Sequence, residues 1–240
     1  MLHPVIFENI THRYDGINVI KNFNLKIEEY LITVIIGKSG SGKSTLLQMI
    51  NGLVKPSEGN MYVFGKKLDY ARILDVRLNI GYSVQGTSLF PHMTAYENIA
   101  LPGKIAGKSK DEIEKRIEQL MDMVELPKEF KTKYPYQLSG GEQQRVGICR
   151  AILLNPGIFL LDEAFGALDP DVKNEIHEKI LKLQQIGPRT IIVVTHDMRE
   201  AIRLGDRIVM LERGELQQYG TKGDILNNPA NEFVKRFVSL

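Results

Sequence analysis

Short apolar runs alternate with helical patterns along most of the chain. The runs lie at residues 31–37, 79–85, 157–163 and 190–196 and are rich in valine, isoleucine and leucine. Runs that are apolar on both faces are typical of strands buried in a parallel sheet. Helical patterns at residues 43–52, 142–154, 170–186 and 198–204 would supply the crossover connections. The pattern therefore predicts an α/β fold with a mainly parallel sheet.

The two ends of the chain show a different pattern. Near the N-terminus, VIFENITHRY and KNFNLKIEE alternate between apolar and polar residues, which predicts an antiparallel β subdomain. Near the C-terminus, DRIVMLERGELQQYG predicts a hairpin that turns at Arg213 and Gly214. The segment DILNNPANEFVKRFVSL predicts two short helices separated at Asn228 and Pro229.

The strand pattern disappears between residues 85 and 139. In KDEIEKRIEQLMDMVEL, one helical face carries Ile113, Ile117, Leu120, Met121 and Val124. We therefore predict a helical subdomain at residues 86–157, inserted into a core formed by residues 1–85 and 158–240 of a single domain.

The composition excludes several classes of protein. The net charge of +2 is too small to indicate a nucleic-acid partner. No apolar run approaches the roughly 20 residues that span a bilayer, and the first residues do not resemble a signal peptide. The single cysteine, Cys149, excludes an internal disulfide and fits a reducing compartment. We expect the chain to serve any membrane from the aqueous side.

The segment GKSGSGKST matches the phosphate-loop pattern G-x-x-x-x-G-K-[ST], between an apolar strand and a helical pattern. Its glycines let backbone N–H groups curl around phosphate oxygens at a helix N-terminus. We expect Lys43 to bridge the β- and γ-phosphates, Ser44 to bind Mg²⁺ and Thr45 to contact the α-phosphate. The predicted nucleotide contacts are Gly37, Ser39, Gly40, Ser41, Gly42, Lys43, Ser44 and Thr45. The alternative is a simple glycine-rich turn, which the strand–loop–helix context disfavours.

Polar residues follow other predicted strands. IFLLDE ends in Asp162 and Glu163, TIIVVTH ends in His196, and Gln85 follows a further strand. Ligands of open α/β sheets bind at the carboxyl ends of strands. We expect Asp162 to face Mg²⁺ through water, Glu163 to activate the attacking water, and His196 to contact the γ-phosphate. The alternatives are a solvated acidic strand end and a structural histidine.

The segment YQLSGGEQQRVGICRAILLNPG predicts a helix with an unusual start. Ser139 and Glu142 form the S-x-x-E pattern of a capping box. Gly140 and Gly141 occupy the first turn, where each costs up to about 1 kcal/mol relative to alanine. Without side chains there, backbone N–H groups can approach a phosphate closely. A helix cap and a phosphate contact both stay open.

Together these motifs resemble the ATP-binding cassette (ABC) ATPase family, in the family's order and over nearly the whole chain. GKSGSGKST matches Walker A, LSGGEQ the signature, IFLLDE Walker B, and ALD at residues 167–169 the D-loop. The resemblance implies a RecA-like P-loop NTPase core. It also implies that Tyr14 stacks on adenine, that Gln85 contacts Mg²⁺ and the attacking water, and that Asp169 acts across a dimer interface. The alternatives are a partly buried tyrosine, an ordinary strand-end glutamine and a helix N-cap.

One residue departs from the family pattern. Ala164 follows Glu163, where most members have proline. Since Asp162 and Glu163 are both present, we expect ATPase activity to survive.

The resemblance further implies an ATPase that works as a pair. Two copies of the chain would form a head-to-tail homodimer around two ATP molecules with Mg²⁺, each between Walker A of one copy and the signature of the other. The signature contacts would come from Ser139, Gly140, Gly141 and Glu142. Transmembrane permease subunits docked near Gln85 would couple hydrolysis to transport, with this chain peripheral on the cytoplasmic face of the cell membrane.

Several segments, among them LFPHMTAYENIALP and DEAFGALDP, are most similar to bacterial importer ATPases for glycine betaine, choline and related osmoprotectants. Polar amino-acid importers are the next most similar. An importer would also include a solute-binding protein. The alternatives are an ABC exporter and a non-transport ABC ATPase of DNA repair or translation. Only 54 positions separate residues 85 and 139, which leaves no room for the long coiled coil of repair ATPases.

Overall fold

The structure, a computed structural model, describes residues 3–84, 86 and 88–239. The chain divides into one unit of Met1–Arg77 with Arg189–Leu240, and a second unit of Leu78–Pro188. Among the helices of the described residues, none combines the length and the apolar character needed to cross a bilayer.

An antiparallel sheet occupies the N-terminal part of the first unit. With elements numbered in chain order, its strands are β1 (Val5–Tyr14), β2 (Ile17–Ile27), β4 (Glu58–Val63) and β5 (Lys66–Lys67), in the order β2-β1-β4-β5. The rings of Phe7 and Phe23 meet edge to face in its core, with centroids 5.2 Å apart. The predicted N-terminal antiparallel strands are confirmed, whereas the sequence pattern does not predict β4 and β5.

The other strands of the first unit are mainly parallel. They are β3 (Ile32–Ile36), β8 (Thr190–Thr195), β9 (Arg207–Glu212) and β10 (Glu215–Gly220), in the order β10-β9-β3-β8. Strand β3 runs parallel to β8 and β9, and both β3 and β8 are buried throughout, as their apolar runs predict. The β9–β10 hairpin turns at Arg213 and Gly214, as predicted, with φ of +48° and +81°.

The helices described in the first unit are α1 (Lys43–Ile50), α2 (Ile73–Arg77), α7 (Met198–Leu204), α8 (Lys222–Asn227) and α9 (Glu232–Val238). Helix α7 packs on β3 and β8. Helices α8 and α9 are the two short helices predicted for the C-terminal segment. Their separation at residues 228–231 follows from Pro229, which lacks a backbone N–H for continuing a helix.

The second unit combines parallel strands with helices. Strands β6 (Ile80–Ser83) and β7 (Ile158–Asp162) pair in parallel, and the helices are α3 (Ala95–Ile105), α4 (Lys110–Met123), α5 (Gly140–Ile152) and α6 (Pro170–Ile186). The predicted apolar face is confirmed, because Ile113, Ile117, Leu120, Met121 and Val124 are all buried. Helices α3, α4 and α5 lie within residues 86–157. The two units together confirm the predicted α/β class.

Candidate nucleotide site

The phosphate loop joins β3 to α1 and closes around its own lysine. Lys43 is buried, and its ammonium nitrogen donates to the carbonyl oxygens of Gly37 at 2.8 Å and Lys38 at 3.0 Å. A buried ammonium needs such acceptors, because its desolvation would otherwise be costly. The loop therefore holds the Lys43 ammonium group against its own backbone, where this positive charge can bind an anion.

Two glycines are required by the shape of this loop. Gly42, the N-cap of α1, has φ +101°, and a Cβ there would lie 2.5 Å from Ile20 Cδ1. A Cβ at Gly37 would lie 2.2 Å from the carbonyl oxygen of Leu211. Since glycine has no side chain that could cap the helix, the first N–H groups of α1 can bind an anion instead.

The other loop residues differ in exposure. Ser39 and Gly40 are exposed, Ser44 is half-buried and Thr45 is buried. Ser41 is buried, and its hydroxyl has no hydrogen-bond partner among the described residues. Leaving a buried hydroxyl unpaired costs about 1–3 kcal/mol. A phosphate oxygen is a suitable acceptor for it, so the loop fits the group that its sequence predicts.

His196 follows β8 at the edge of the sheet where the phosphate loop begins. In the parallel register, Thr195 at the end of β8 lies beside Ile36 at the end of β3. His196 and Gly37 are therefore the next residues of two neighbouring strands. The His196 side chain is exposed. His196 and the phosphate loop thus lie at one edge of the sheet, as expected for polar residues at the carboxyl ends of neighbouring parallel strands.

Tyr14 ends β1 with 44% of its surface exposed. The ring of His12 packs edge-on against it, with centroids 4.6 Å apart and planes at 89°. His12 is itself buried, and burial lowers its pKa, because the charged imidazolium is poorly solvated there. The stacking of Tyr14 on adenine stays a prediction. The sequence pattern does not single out His12, which alternates with Tyr14 like an ordinary strand residue.

The two acidic residues at the end of β7 differ in environment. Asp162 is buried, and the Tyr82 hydroxyl donates to its Oδ2 atom at 3.2 Å. Glu163 is half-buried and has φ +47°, in the left-handed region that few residues with a side chain adopt. Ala164, which replaces the family's usual proline, is buried directly after this turn.

Helix α5 begins with the predicted capping box. The Glu142 N–H donates to the Ser139 hydroxyl at 3.3 Å, and the Ser139 N–H donates to Glu142 Oε2 at 2.7 Å. Gly140 is exposed, and the nearest atom to an added Cβ would be 4.0 Å away. The cap satisfies the helix start, but it gives no reason for glycine at position 140.

Gly141 has an additional role inside its own unit. A Cβ there would lie 3.3 Å from the carbonyl oxygen of Ala167, so the D-loop segment packs closely on this turn. The Gln144 side chain accepts a hydrogen bond from the Ala167 N–H at 3.2 Å. Asp169 is exposed just before α6, where its carbonyl accepts from Lys173 N at 2.8 Å. The signature and the D-loop are thus held together, a contact that the sequence does not reveal.

Gln85, the predicted Q-loop glutamine, lies outside the described residues. Tyr82, three residues earlier in the chain, belongs to β6 and lies beside Leu160 of β7. Strand β6 therefore ends at the same edge as β7, whose last residue is Asp162.

Curated relatives with transport roles match nearly the whole chain. The choline transport ATP-binding protein OpuBA of Bacillus subtilis (strain 168) is 43% identical over 96% of this chain and 61% of its own length. The glycine betaine uptake system ATP-binding protein YehX of Escherichia coli (strain K12) is 38% identical over 96% of this chain and 75% of its own. The chain spans about three fifths of the length of the first curated relatives that it matches.

Solved structures and a family model agree with the motifs. The dimeric structure of the ABC transporter cassette MJ0796 has a TM-score of 0.86 and 39% identity, covering 90% of this chain and 98% of that one. A second structure of that cassette, a post-hydrolysis state bound to ADP and Pi, has the same TM-score at 38% identity. The family model described as ABC transporter matches residues 20–166. The resemblance inferred from the motifs is confirmed, and the chain belongs to the ABC transporter family.

Proposed function

We propose that this chain is the ATP-hydrolysing subunit of a membrane transporter that imports an osmoprotectant or an amino-acid-like solute. The observation that carries the proposal is the phosphate loop, with a buried lysine, an uncapped helix start and an unpaired serine hydroxyl. The LSGGEQ signature at the start of α5 distinguishes an ABC ATPase from other phosphate-loop proteins. Membership of the family supports the same assignment.

ATP is the proposed substrate, and the chain offers it contacts of three kinds. Tyr14 would stack on the adenine, which gives affinity with little base selectivity. Lys43 and backbone N–H groups of the phosphate loop would bind the β- and γ-phosphates, and Thr45 would contact the α-phosphate. Glu163 would polarise the attacking water or take its proton, and His196 would contact the γ-phosphate.

The donors proposed for Mg²⁺ are oxygen atoms, which this hard cation prefers. Asp162 supplies a buried carboxylate at a strand end, and Ser44 supplies a hydroxyl at the start of α1. Gln85 would be a further ligand. When bound, Mg²⁺ would neutralise negative charge on the β- and γ-phosphate oxygens.

The active form that we propose is a head-to-tail homodimer. Walker A of one copy and residues 139–142 of the other would enclose each ATP, and Asp169 would act across the interface. A dimeric cassette among the similar structures supports this arrangement. We further propose a single ABC ATPase domain with its core at residues 1–85 and 158–240 and its helical subdomain at 86–157.

The assembly would include transmembrane permease subunits and a solute-binding protein, with this chain on the cytoplasmic face of the cell membrane. The relatives named for choline and glycine betaine support import of an osmoprotectant over the exporter, DNA-repair and translation alternatives. The weak net charge also gives no support to a nucleic-acid partner.

The direct test of the ATPase proposal is Glu163→Gln. We expect it to bind ATP as the wild type does, to lose turnover by a factor of about 10² to 10⁴, and to form an ATP-dependent dimer. Glu232→Gln, an exposed change in α9, is the matched control and should leave all three properties unchanged. Normal turnover in Glu163→Gln would refute the proposed catalytic role of Glu163.

Transport needs its own experiment. The chain is co-expressed with the permease and solute-binding subunits that co-purify with it, reconstituted into proteoliposomes, and supplied with labelled glycine betaine, choline or a polar amino acid. ATP-dependent uptake of a betaine or choline supports the proposal. Uptake of the amino acid alone would change the substrate class, and ATP-dependent efflux would overturn import.

A further inference from the structure

One hydroxyl group makes two hydrogen bonds at the turn that carries His196. Thr195, buried at the end of β8, donates from Oγ1 to Glu200 Oε2 at 2.5 Å. The same oxygen accepts a hydrogen bond from the Asp197 N–H at 3.1 Å. The second bond joins the two residues that flank His196 in the chain, and the first connects Thr195 to α7. The path of the backbone through His196 therefore depends on the Thr195 hydroxyl.

Glu200 anchors this arrangement from α7. Its side chain is buried on a helix that packs on β3 and β8. A carboxylate taken out of water is costly unless it is paired or hydrogen-bonded, whereas an apolar side chain would fill the same space at no such cost. A hydrogen bond from a hydroxyl to an ionised carboxylate is roughly twice as strong as a neutral one. The buried carboxylate thus holds Thr195 in one orientation.

The far side of the turn is fixed as well. Asp197 Oδ1 accepts a hydrogen bond from the Arg199 N–H at 2.9 Å, which caps α7. The His196 side chain itself is exposed. Because Thr195 lies beside Ile36 in the sheet, any shift of this turn changes the distance from His196 to the start of the phosphate loop.

We propose that Glu200 is a positioning residue for ATP hydrolysis, acting through the Thr195 hydroxyl to hold His196 at the γ-phosphate. The inference rests on the proposed role of His196 in hydrolysis. A misplacement of about 1 Å in a reacting site can cost a factor of about 10² in rate, even when the changed residue does not touch the substrate. A purely structural role for the same pair would lower the stability and leave the turnover of the folded protein unchanged.

The main test is Thr195→Val, which keeps the shape and removes the hydroxyl. We expect kcat to fall by a factor of about 10 to 100, with the Kd for ATP unchanged. Thr195→Ser, which restores the hydroxyl, should recover most of the turnover. Thr33→Val is the matched control, because Thr33 is buried in β3 and its hydroxyl has no partner among the described residues. It should leave kcat unchanged.

Glu200→Gln is the second variant and covers the case in which Thr195→Val does not fold. It keeps an acceptor for Thr195 but removes the charge, so we expect a smaller loss of kcat in the same direction. Urea midpoints are measured for every variant. A lowered midpoint with wild-type kcat in both Thr195→Val and Glu200→Gln would overturn the inference.

A cycle with His196→Ala separates this inference from the proposed function. If Glu200 and Thr195 act through His196, adding Thr195→Val to His196→Ala should cost no further turnover in single-turnover assays. An equal further loss in that background would refute the positioning role. Wild-type turnover in His196→Ala would instead refute the proposed role of His196.

Discussion

Replacing Gly42 by alanine tests why the phosphate loop needs glycine at the start of α1. Gly42 has φ +101°, and an alanine Cβ would lie 2.5 Å from Ile20 Cδ1 and 3.0 Å from the carbonyl oxygen of Val19. The substitution therefore combines backbone strain with a collision against β2. The Ile20 side chain, the phosphate loop or the backbone of β2 has to shift.

The structure offers a control that separates the two effects. Gly65 has φ +73°, but nothing lies within 4 Å of an added Cβ. Gly65→Ala should cost about 1–2 kcal/mol of unfolding free energy, from backbone strain alone. Gly42→Ala should add about 1–3 kcal/mol of overpacking. We therefore expect Gly42→Ala to lose about 2–5 kcal/mol, which a domain of ordinary stability survives.

Urea unfolding and ATP titration measure the two consequences. Gly42→Ala should show the lower unfolding midpoint with an unchanged m-value. It should also bind ATP about tenfold more weakly or worse, equivalent to a loss of about 1.4 kcal/mol, because the first N–H groups of α1 move. Gly65→Ala should bind ATP normally. If both variants lost the same stability and Gly42→Ala bound ATP normally, the steric argument would be refuted.

The open space at Gly140 and the ion pair between Arg207 and Glu28 give two further predictions. Gly140→Asp places a carboxylate where space is open. We expect an unchanged urea midpoint and unchanged ATP binding but lost hydrolysis, because the charge repels the γ-phosphate of the ATP bound to the partner copy. Normal turnover in this variant would mean that the segment acts only as a helix cap. The Arg207 guanidinium, which donates to Glu28 at 2.6 Å and 3.1 Å, holds the pKa of that carboxyl below its usual value. This pair stabilises the fold above the pKa of the unfolded chain and loses its effect as the pH falls through the lower folded pKa. The difference in unfolding free energy between wild type and Glu28→Gln, about 1–3 kcal/mol near neutral pH, should therefore shrink on acidification, and a constant difference would contradict this origin.

The elements that the sequence predicts are those with a local cause. The buried strand at Thr190–Thr195 is a continuous apolar run, and the hairpin at Arg213 and Gly214 needs two residues with positive φ between alternating strands. The sequence does not predict strand β4, because EGNMYV is largely exposed or half-exposed and pairs with β1, with Val63 beside Val5. Such a strand is fixed by tertiary pairing, which periodicity cannot report.

The candidate site likewise has parts that the sequence predicts and parts that it does not. The phosphate loop and the capping box are continuous segments, so their residue types and spacing are sufficient to find them. Tyr82 on Asp162 and Ala167 on Gly141 are contacts between segments far apart in the chain. The motifs therefore identify the residues of the site, whereas the contacts between distant segments are found only in the fold.

Gly141 is an example, because the sequence suggests only a phosphate contact as the reason for a glycine at this position. The structure adds the Ala167 carbonyl, 3.3 Å from a Cβ at that position. Loss of activity in a Gly141 variant would thus follow from either cause, whereas Gly140, which has open space, reports on the phosphate alone.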